Sequence, residues 1–346
     1  MSADFSLQAD PAKYPEAVGW VHKLLYRTKL TADRTKVLAT KMENSVSELK
    51  RKGSKVVGIM MNTLLFSGES NHQVANMIRQ QKFLKDLLKK LECSPNEVIK
   101  DLEEVRFYLT NPKHMMVHMA ADLASLASPQ TPWSNLLPPH LPPAPLPFHP
   151  HPEHLLSLPP PRHAIVPLGS CESAFLSRSA PAISDFHSPD LPPLLLAIQY
   201  LTQLEGPMWR QIRGAGLAYG YFMFPSVTKG QLFMSLYKAS HPVKAYQEAR
   251  RIVVEQVEGG QWDKTLLESA KSSLVFELIE KEKTLGEVVQ QSLLDSLKGT
   301  SRSYNRSVVE TKFVNCLMLL MYMQDLKLSY FVLQSCIGRF LSYCPT

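Results

Sequence analysis

Residues 205–220 read Glu-Gly-Pro-Met-Trp-Arg-Gln-Ile-Arg-Gly-Ala-Gly-Leu-Ala-Tyr-Gly. The last three glycines, Gly214, Gly216 and Gly220, have the spacing G-x-G-x-x-x-G, close to that of a phosphate-cradling loop. Such a loop follows a strand and opens a helix, because the ligand phosphate sits on the helix N-terminus. Here the order is inverted. An apolar helical run, Leu194 to Ile212, precedes the glycines, and a strand-like run, Leu217 to Phe224, follows them. The stretch therefore reads as a helix end leading tightly into a strand.

Working outward, Asp190-Leu-Pro-Pro opens the preceding helix. Leu232 to Tyr237 forms a second strand after a loop around Pro225 to Lys229. An amphipathic helix from Pro242 to Val257 is closed by Gly259-Gly260. Asp263 caps the next helix, and Thr284-Leu-Gly-Glu287 is a capping box for another. Strands followed by helices predict an α+β domain with helices on one face of an antiparallel sheet.

Residues 14–122 form another block. Tyr14 to Leu30 places Val18, Val21, Leu24 and Leu25 at helical spacing. A second helical stretch covers residues 32–66 with a break near Gly53, and a third runs from Asn71 to about Glu92. Ser94-Pro-Asn-Glu97 is a capping box opening a helix that stops before Asn111-Pro112, and Met115 to Ala121 reads as a strand. His114 and His118 are four apart, and on a strand they are not a ligand pair.

Between the blocks the material changes. Eighteen of the 26 prolines lie in 129–193, a stretch without lysine. Runs such as Leu141-Pro-Pro-Ala-Pro-Leu-Pro147 exclude helix and central strand and favour polyproline geometry. They suit either a docking site for a proline-binding domain or a solvated linker. His149, His151, Glu153 and His154 cluster there, but Pro150 and Pro152 forbid the helix that would aim them at a zinc ion. The cluster is read as compositional.

The formal charge of +7 is spread thinly, with +5 over 1–128, −2 over 129–193 and +4 over 194–346. No basic stripe marks a nucleic-acid partner. Cys93, Cys171, Cys316, Cys336 and Cys344 are scattered, without a C-x-x-C pair, and argue against a disulfide scaffold. Ser170 and Cys171 lie near His163, but no Gly-x-Ser-x-Gly elbow accompanies them. No leader segment is visible from Met1 to Tyr14, so an intracellular location is expected, the cytoplasm first. Phe313 to Leu341 is apolar but interrupted by Gln324, Asp325 and Lys327, a poor membrane span and a candidate buried helix or divergent tail.

The decisive stretch also carries a resemblance. Pro189-Asp-Leu-Pro-Pro-Leu-Leu, Leu204 to Gly220, Tyr237-Lys-Ala-Ser-His-Pro and Leu274-Val-Phe-Glu-Leu-Ile-Glu together resemble the C-terminal half of insulinase-type zinc metallopeptidases, in the presequence-protease-like branch. Residues 14–123 are similar more loosely. The resemblance implies two α+β domains of that type. The first, 1–127, is partial, and the second, 163–312, is truncated. A proline-rich segment, 128–162, joins them, and a divergent apolar tail, 313–346, follows.

In that family a zinc-bearing N-terminal half and a metal-free C-terminal half enclose a peptide chamber. An arginine and a tyrosine of the last domain face the zinc across it, and Arg213 and Tyr219 occupy the matching positions. The resemblance thus implies a non-catalytic portion that encloses and aligns peptide substrates. H-x-x-E-H is absent, so this chain alone is expected to be inactive, with no catalytic or metal-binding residue of its own. Zn2+ is expected in the N-terminal half, present in cis in a longer product or met in trans. A longer product with a transit peptide would reach the mitochondrial matrix. The alternative is a non-enzymatic interaction protein on the same fold, recruiting partners through its proline-rich segment. Neither reading calls for nucleic acid or a membrane.

Overall fold

The protein is described from a computed structural model, which covers residues 5–68, 70–112, 115–126, 128–136, 163–259, 261–301, 304–310 and 330–335. The proline-rich runs, the histidine cluster, His114 and most of the stretch after residue 312 lie outside these. Along the chain come α1 (Tyr14–His22), α2 (Ala32–Leu49), α3 (Gly53–Leu65), α4 (Asn71–Val74), α5 (Met77–Cys93) and α6 (Pro95–Leu109). After the proline-rich segment follow β1 (His163–Pro167), β2 (Ala174–Pro181), α7 (Leu191–Thr202), β3 (Ala218–Ser226), β4 (Gln231–Ala239), α8 (Pro242–Gly259), α9 (Lys264–Glu280), α10 (Leu285–Lys298), α11 (Tyr304–Glu310) and β5 (Tyr330–Ser335). The chain divides into two compact units, each drawn from three separate stretches.

One unit comprises residues 47–78, 150–281 and 298–346 and contains the sheet. Its strand order is β1-β5-β2-β4-β3. Every neighbouring pair is antiparallel except β1 and β5, which run parallel. The alternation along β2 shows how the sheet is filled. Leu176 belongs to the core shared with α7, α8 and α9, where Leu194, Leu196, Leu201, Ile212 and Leu236 are fully buried. Phe175, one residue earlier, points to the other face and meets Val57, Met61, Leu65 and Phe66 of the α3 region, together with Phe233 of β4. Successive strand side chains face opposite ways, so a strand covered on both sides is apolar at consecutive positions. Each fully buried Leu or Ile contributes about 1.5–3 kcal/mol.

The other unit comprises residues 1–46, 79–149 and 282–297, and its described elements are helical. Val18, Val21, Ala39, Val46, Leu84, Leu91, Val98 and Leu136 are among its buried apolar positions. The Tyr14 hydroxyl donates to the Pro129 carbonyl at 2.5 Å and accepts from the Trp133 indole at 2.6 Å.

Several local expectations meet their element. The break near Gly53 separates α2 from α3. The Asp263 carboxylate accepts from the Thr265 and Leu266 amides. In the Thr284–Glu287 box the Thr284 amide donates to the Glu287 carboxylate at 2.8 Å, and the Glu287 amide donates back to the Thr284 hydroxyl at 3.3 Å.

Others are corrected. The helix predicted to run from Asn71 to Glu92 is split, because Ser70 caps α4 and the Asn76 side chain accepts from the Ile78 amide at 2.9 Å, restarting the helix as α5. Ser94 precedes α6 without a side-chain cap bond, so Pro95 alone sets that start. The helix predicted from Leu194 to Ile212 ends at Thr202 and is followed by a separate turn of helix. Met115 to Ala121 is not a strand, since the described elements of its unit offer no sheet for its backbone to join. Residues 330–335 lie in a stretch read as a buried helix or tail, yet they form β5, paired on both sides.

Candidate functional site

The decisive stretch builds its site through an unusual helical turn. Trp209–Arg213 is π-helical, with the Gly214 amide donating to the Trp209 carbonyl at 2.9 Å and the Leu217 amide to the Ile212 carbonyl at 2.9 Å. Turns of this kind are rare and concentrate at functional sites. Ile212 anchors the turn in the core, and Arg213, next in sequence, is turned out to solvent.

Two glycines make the turn feasible. A Cβ on Gly214 would stand 2.4 Å from the Arg210 carbonyl oxygen, and Gly216 has φ of +65°. The exit is clamped by Ser240 beyond the end of β4, whose hydroxyl donates to the Gly216 carbonyl at 2.7 Å and whose amide donates to the Leu217 carbonyl at 3.0 Å. The glycines thus serve close backbone approach, in keeping with a helix end that turns straight into a strand.

The chain then enters β3, at the edge of the sheet among the described strands. Tyr219, 63% exposed, lies beneath Arg213, whose guanidinium carbon is 5.0 Å from the ring centroid. The Tyr219 ring is 6.4 Å from that of Tyr237 on β4, and Tyr237 meets Phe175 edge-on at 5.3 Å. Gly220 pairs in register with Tyr237. It has no side chain, and the space a Cβ would take is bounded by the Tyr237 Cβ and the Phe222 ring, each at 3.5 Å.

Lys238 follows Tyr237, and its ammonium is 5.6 Å from the Tyr237 ring centroid. Its φ of +49° is left-handed, a rare conformation for a residue with a Cβ. Tyr221, half-buried two residues beyond Tyr219, has its phenol pushed up to about 12 by burial, with the Arg213 charge opposing that rise.

The structure therefore brings Arg213 and Tyr219 into contact. Sequence reasoning missed the residues around them: Tyr221, Tyr237 and Lys238. The signal for Tyr221 was the Tyr-x-Tyr alternation on one strand. That for Tyr237 was Gly220, but only the register shows the two to be opposite.

Other residues singled out in the sequence are placed elsewhere. The Cys171 thiol donates to the Arg51 carbonyl at 3.1 Å. His118 shares a hydrogen bond with the Ser292 hydroxyl at 3.1 Å. Among the described residues no three His, Cys, Asp or Glu side chains converge on a point that could hold a metal ion. The described residues therefore do not fit a zinc site. No helix among the described residues is long and apolar enough to cross a membrane.

No protein-family model matches the chain. Curated relatives include an uncharacterized protein of Caenorhabditis elegans, 28% identical over 298 residues and matching 85% of this chain. Another, from Saccharomyces cerevisiae, is 26% identical over 299 residues and matches 80% of it. A third, from Schizosaccharomyces pombe, is 26% identical over 330 residues and matches 91%. The chain spans less than a third of the length of each: 30%, 28% and 31%.

Similar solved structures include a peptidase M16 inactive domain from Pseudomonas fluorescens, with a TM-score of 0.63 at 13% identity over 94% of this chain and 76% of that one. A protease from Helicobacter pylori has a TM-score of 0.66 at 12% identity over 94% and 78%. The ferredoxin protease FusC, solved in complex with Arabidopsis ferredoxin, has a TM-score of 0.62 at 10% identity over 95% of this chain and 35% of that one. At these identities the likeness is one of fold. The chain has the insulinase-type, M16 peptidase-like fold.

Proposed function

We propose that this chain is a non-catalytic, C-terminal portion of an insulinase-type zinc metallopeptidase of the presequence-protease-like branch. It helps enclose a peptide and align it for hydrolysis at a zinc ion carried by an N-terminal half, in cis in a longer product or in trans. The observation that supports this reading is the Arg213–Tyr219 pair, held by a π-turn at the sheet edge of an M16-like fold.

Hydrolysis of a peptide bond at zinc builds negative charge on the scissile carbonyl oxygen. A guanidinium has five fixed donors and a phenol one, and both suit a substrate carbonyl or that developing charge. Stacking over the Tyr219 ring limits the orientations open to Arg213 before substrate arrives, so less freedom is lost on binding. The cytoplasm is the proposed location, with the mitochondrial matrix the alternative for a longer product bearing a transit peptide.

Reconstitution tests the reading. Mixed with the zinc-bearing N-terminal half of a metallopeptidase of this branch, the chain restores cleavage of a quenched fluorescent peptide, and Arg213→Ala lowers the restored kcat/KM by about 100-fold. If Arg213→Ala and Tyr219→Phe both leave restored activity unchanged, the two residues do not contact substrate. An immunoblot of native tissue extract bears on the cis arrangement, which gives a band several-fold larger than 39 kDa. A sole band near 39 kDa favours the interaction-protein reading built on the 18 prolines of residues 129–193.

A further inference from the structure

From Gly206 to Gln247 the chain has no aspartate or glutamate, whereas an average stretch of that length here would carry about four. The same 42 residues hold Arg210, Arg213, Lys229, Lys238 and Lys244. They include the π-turn, β3 and β4, so the acid-free segment is the one that builds the site.

Two of these cations lie over neighbouring rings at one end of the strand pair. Arg213 lies over Tyr219 and Lys238 over Tyr237, and those two rings are 6.4 Å apart. Neither cation has a carboxylate within ion-pair distance among the described residues. A strand residue in the ordinary extended region would turn its side chain away from the face that its neighbour occupies. Lys238 escapes that alternation through its left-handed φ of +49°, and its ammonium stays by Tyr237. Conformations of this kind persist where the surroundings over-determine them, and they concentrate at functional sites.

The aromatic surface continues along β3 through Phe222 and Phe224, both about half exposed. The strand has nine residues and so is about 30 Å long, room for an extended segment of similar length.

We propose that the β3–β4 face selects extended peptide segments carrying acidic side chains flanked by aromatic ones, with the carboxylate between Arg213 and Lys238. This rests on the peptide-binding reading above and adds a substrate preference to it. Charge complementarity carries the choice of occupant, since two exposed cations with no described carboxylate in ion-pair distance repel a basic segment and attract an acidic one.

The test uses the 346-residue chain and labelled peptides of about twelve residues, acetylated and amidated, read by fluorescence anisotropy. One peptide carries two glutamates among phenylalanines, a second has glutamine in their place, and a third lysine. The glutamate peptide binds about fivefold or more tightly than its glutamine twin at low salt, and the advantage shrinks as salt is raised. Lys238→Gln, or Lys238→Gly, which also relieves the left-handed backbone, removes most of that advantage. Lys264→Gln, an exposed change of the same net charge elsewhere, leaves it in place.

Equal binding of the glutamate and glutamine peptides overturns the charge preference and leaves the peptide-binding reading standing. Binding by none of the three overturns both. An advantage that survives Lys238→Gln together with Arg213→Gln, or that falls equally with Lys264→Gln, places the selection outside this face and overturns the proposal. A glutamine peptide with a free C-terminus that matches the glutamate peptide shifts recognition to the terminal carboxylate and overturns the side-chain assignment.

Discussion

Arg213 and Tyr219 are six residues apart, and the turn between them brings the guanidinium carbon to 5.0 Å from the ring centroid. The contact separates the two roles proposed for the tyrosine, a ring that holds the arginine and a hydroxyl that donates to substrate. Tyr219→Phe keeps the first and removes the second. In the reconstituted enzyme it lowers kcat/KM by about tenfold or more, whereas Tyr219→Leu lowers it further by freeing Arg213 as well. Arg213→Lys keeps the charge and loses the planar stack, so it falls with Tyr219→Leu. Steady-state rates on one quenched peptide order the variants.

Gly214 and Gly220 look alike in sequence and differ in the fold. A Cβ on Gly214 meets the Arg210 carbonyl oxygen at 2.4 Å, whereas one on Gly220 meets Tyr237 and Phe222 at 3.5 Å, ordinary contact. Gly214→Ala is expected to destabilise the protein by about 1–3 kcal/mol and Gly220→Ala by less than about 1 kcal/mol. Urea unfolding followed by circular dichroism measures both.

Tyr221 sets a limit at alkaline pH. Its phenol is pushed up to about 12 by burial, above the ordinary value of 10.0. The folded chain holds that proton more tightly than the unfolded chain. The contribution to stability is therefore whole below pH 10 and declines as pH rises through about 12. Urea midpoints for the parent and for Tyr221→Phe, compared between pH 9 and about pH 11.5, show a steeper fall in the parent. Parallel curves would mean that Tyr221 ionises like an exposed tyrosine.

Lys238 trades local strain for position. Glycine adopts its φ of +49° freely, so Lys238→Gly gains about 1 kcal/mol or less in stability, net of glycine's larger loss of freedom on folding. Lys238→Ala keeps the strained Cβ and gains nothing. Thermal unfolding of the three proteins ranks them, with glycine at or above the parent and alanine at or below it.

Much of the layout was legible in the sequence because its signals are local. The order helix, glycines, strand across residues 205–220 excluded a phosphate loop, and Asp263 and Thr284 marked helix starts that the structure contains. What stayed hidden depends on distant partners. β2 carries Ser177, Arg178 and Ser179 among its apolar residues, and the strand emerges only because α3 covers Phe175 while the other helices cover Leu176. Met115 to Ala121 had strand composition, but the described elements of its unit hold no sheet to join. At the site, Arg213 and Tyr219 could be picked out by residue type, whereas Tyr237 and Lys238 needed the β3–β4 register and one backbone angle.

The place of β5 bears on timing. Only six residues separate β1 from β2 in sequence, yet the strand between them in the sheet comes from residues 330–335, and each pairs with it. During synthesis the ribosome delivers β1, β2, β3 and β4 early, and they must wait with a gap one strand wide until that segment emerges. Pairings between segments so far apart are slow to form, and an unpaired strand edge left open meanwhile invites other chains. Molecules halted before that segment would hold an open seam along β2, and the last of the described strands to be made is the one that closes it.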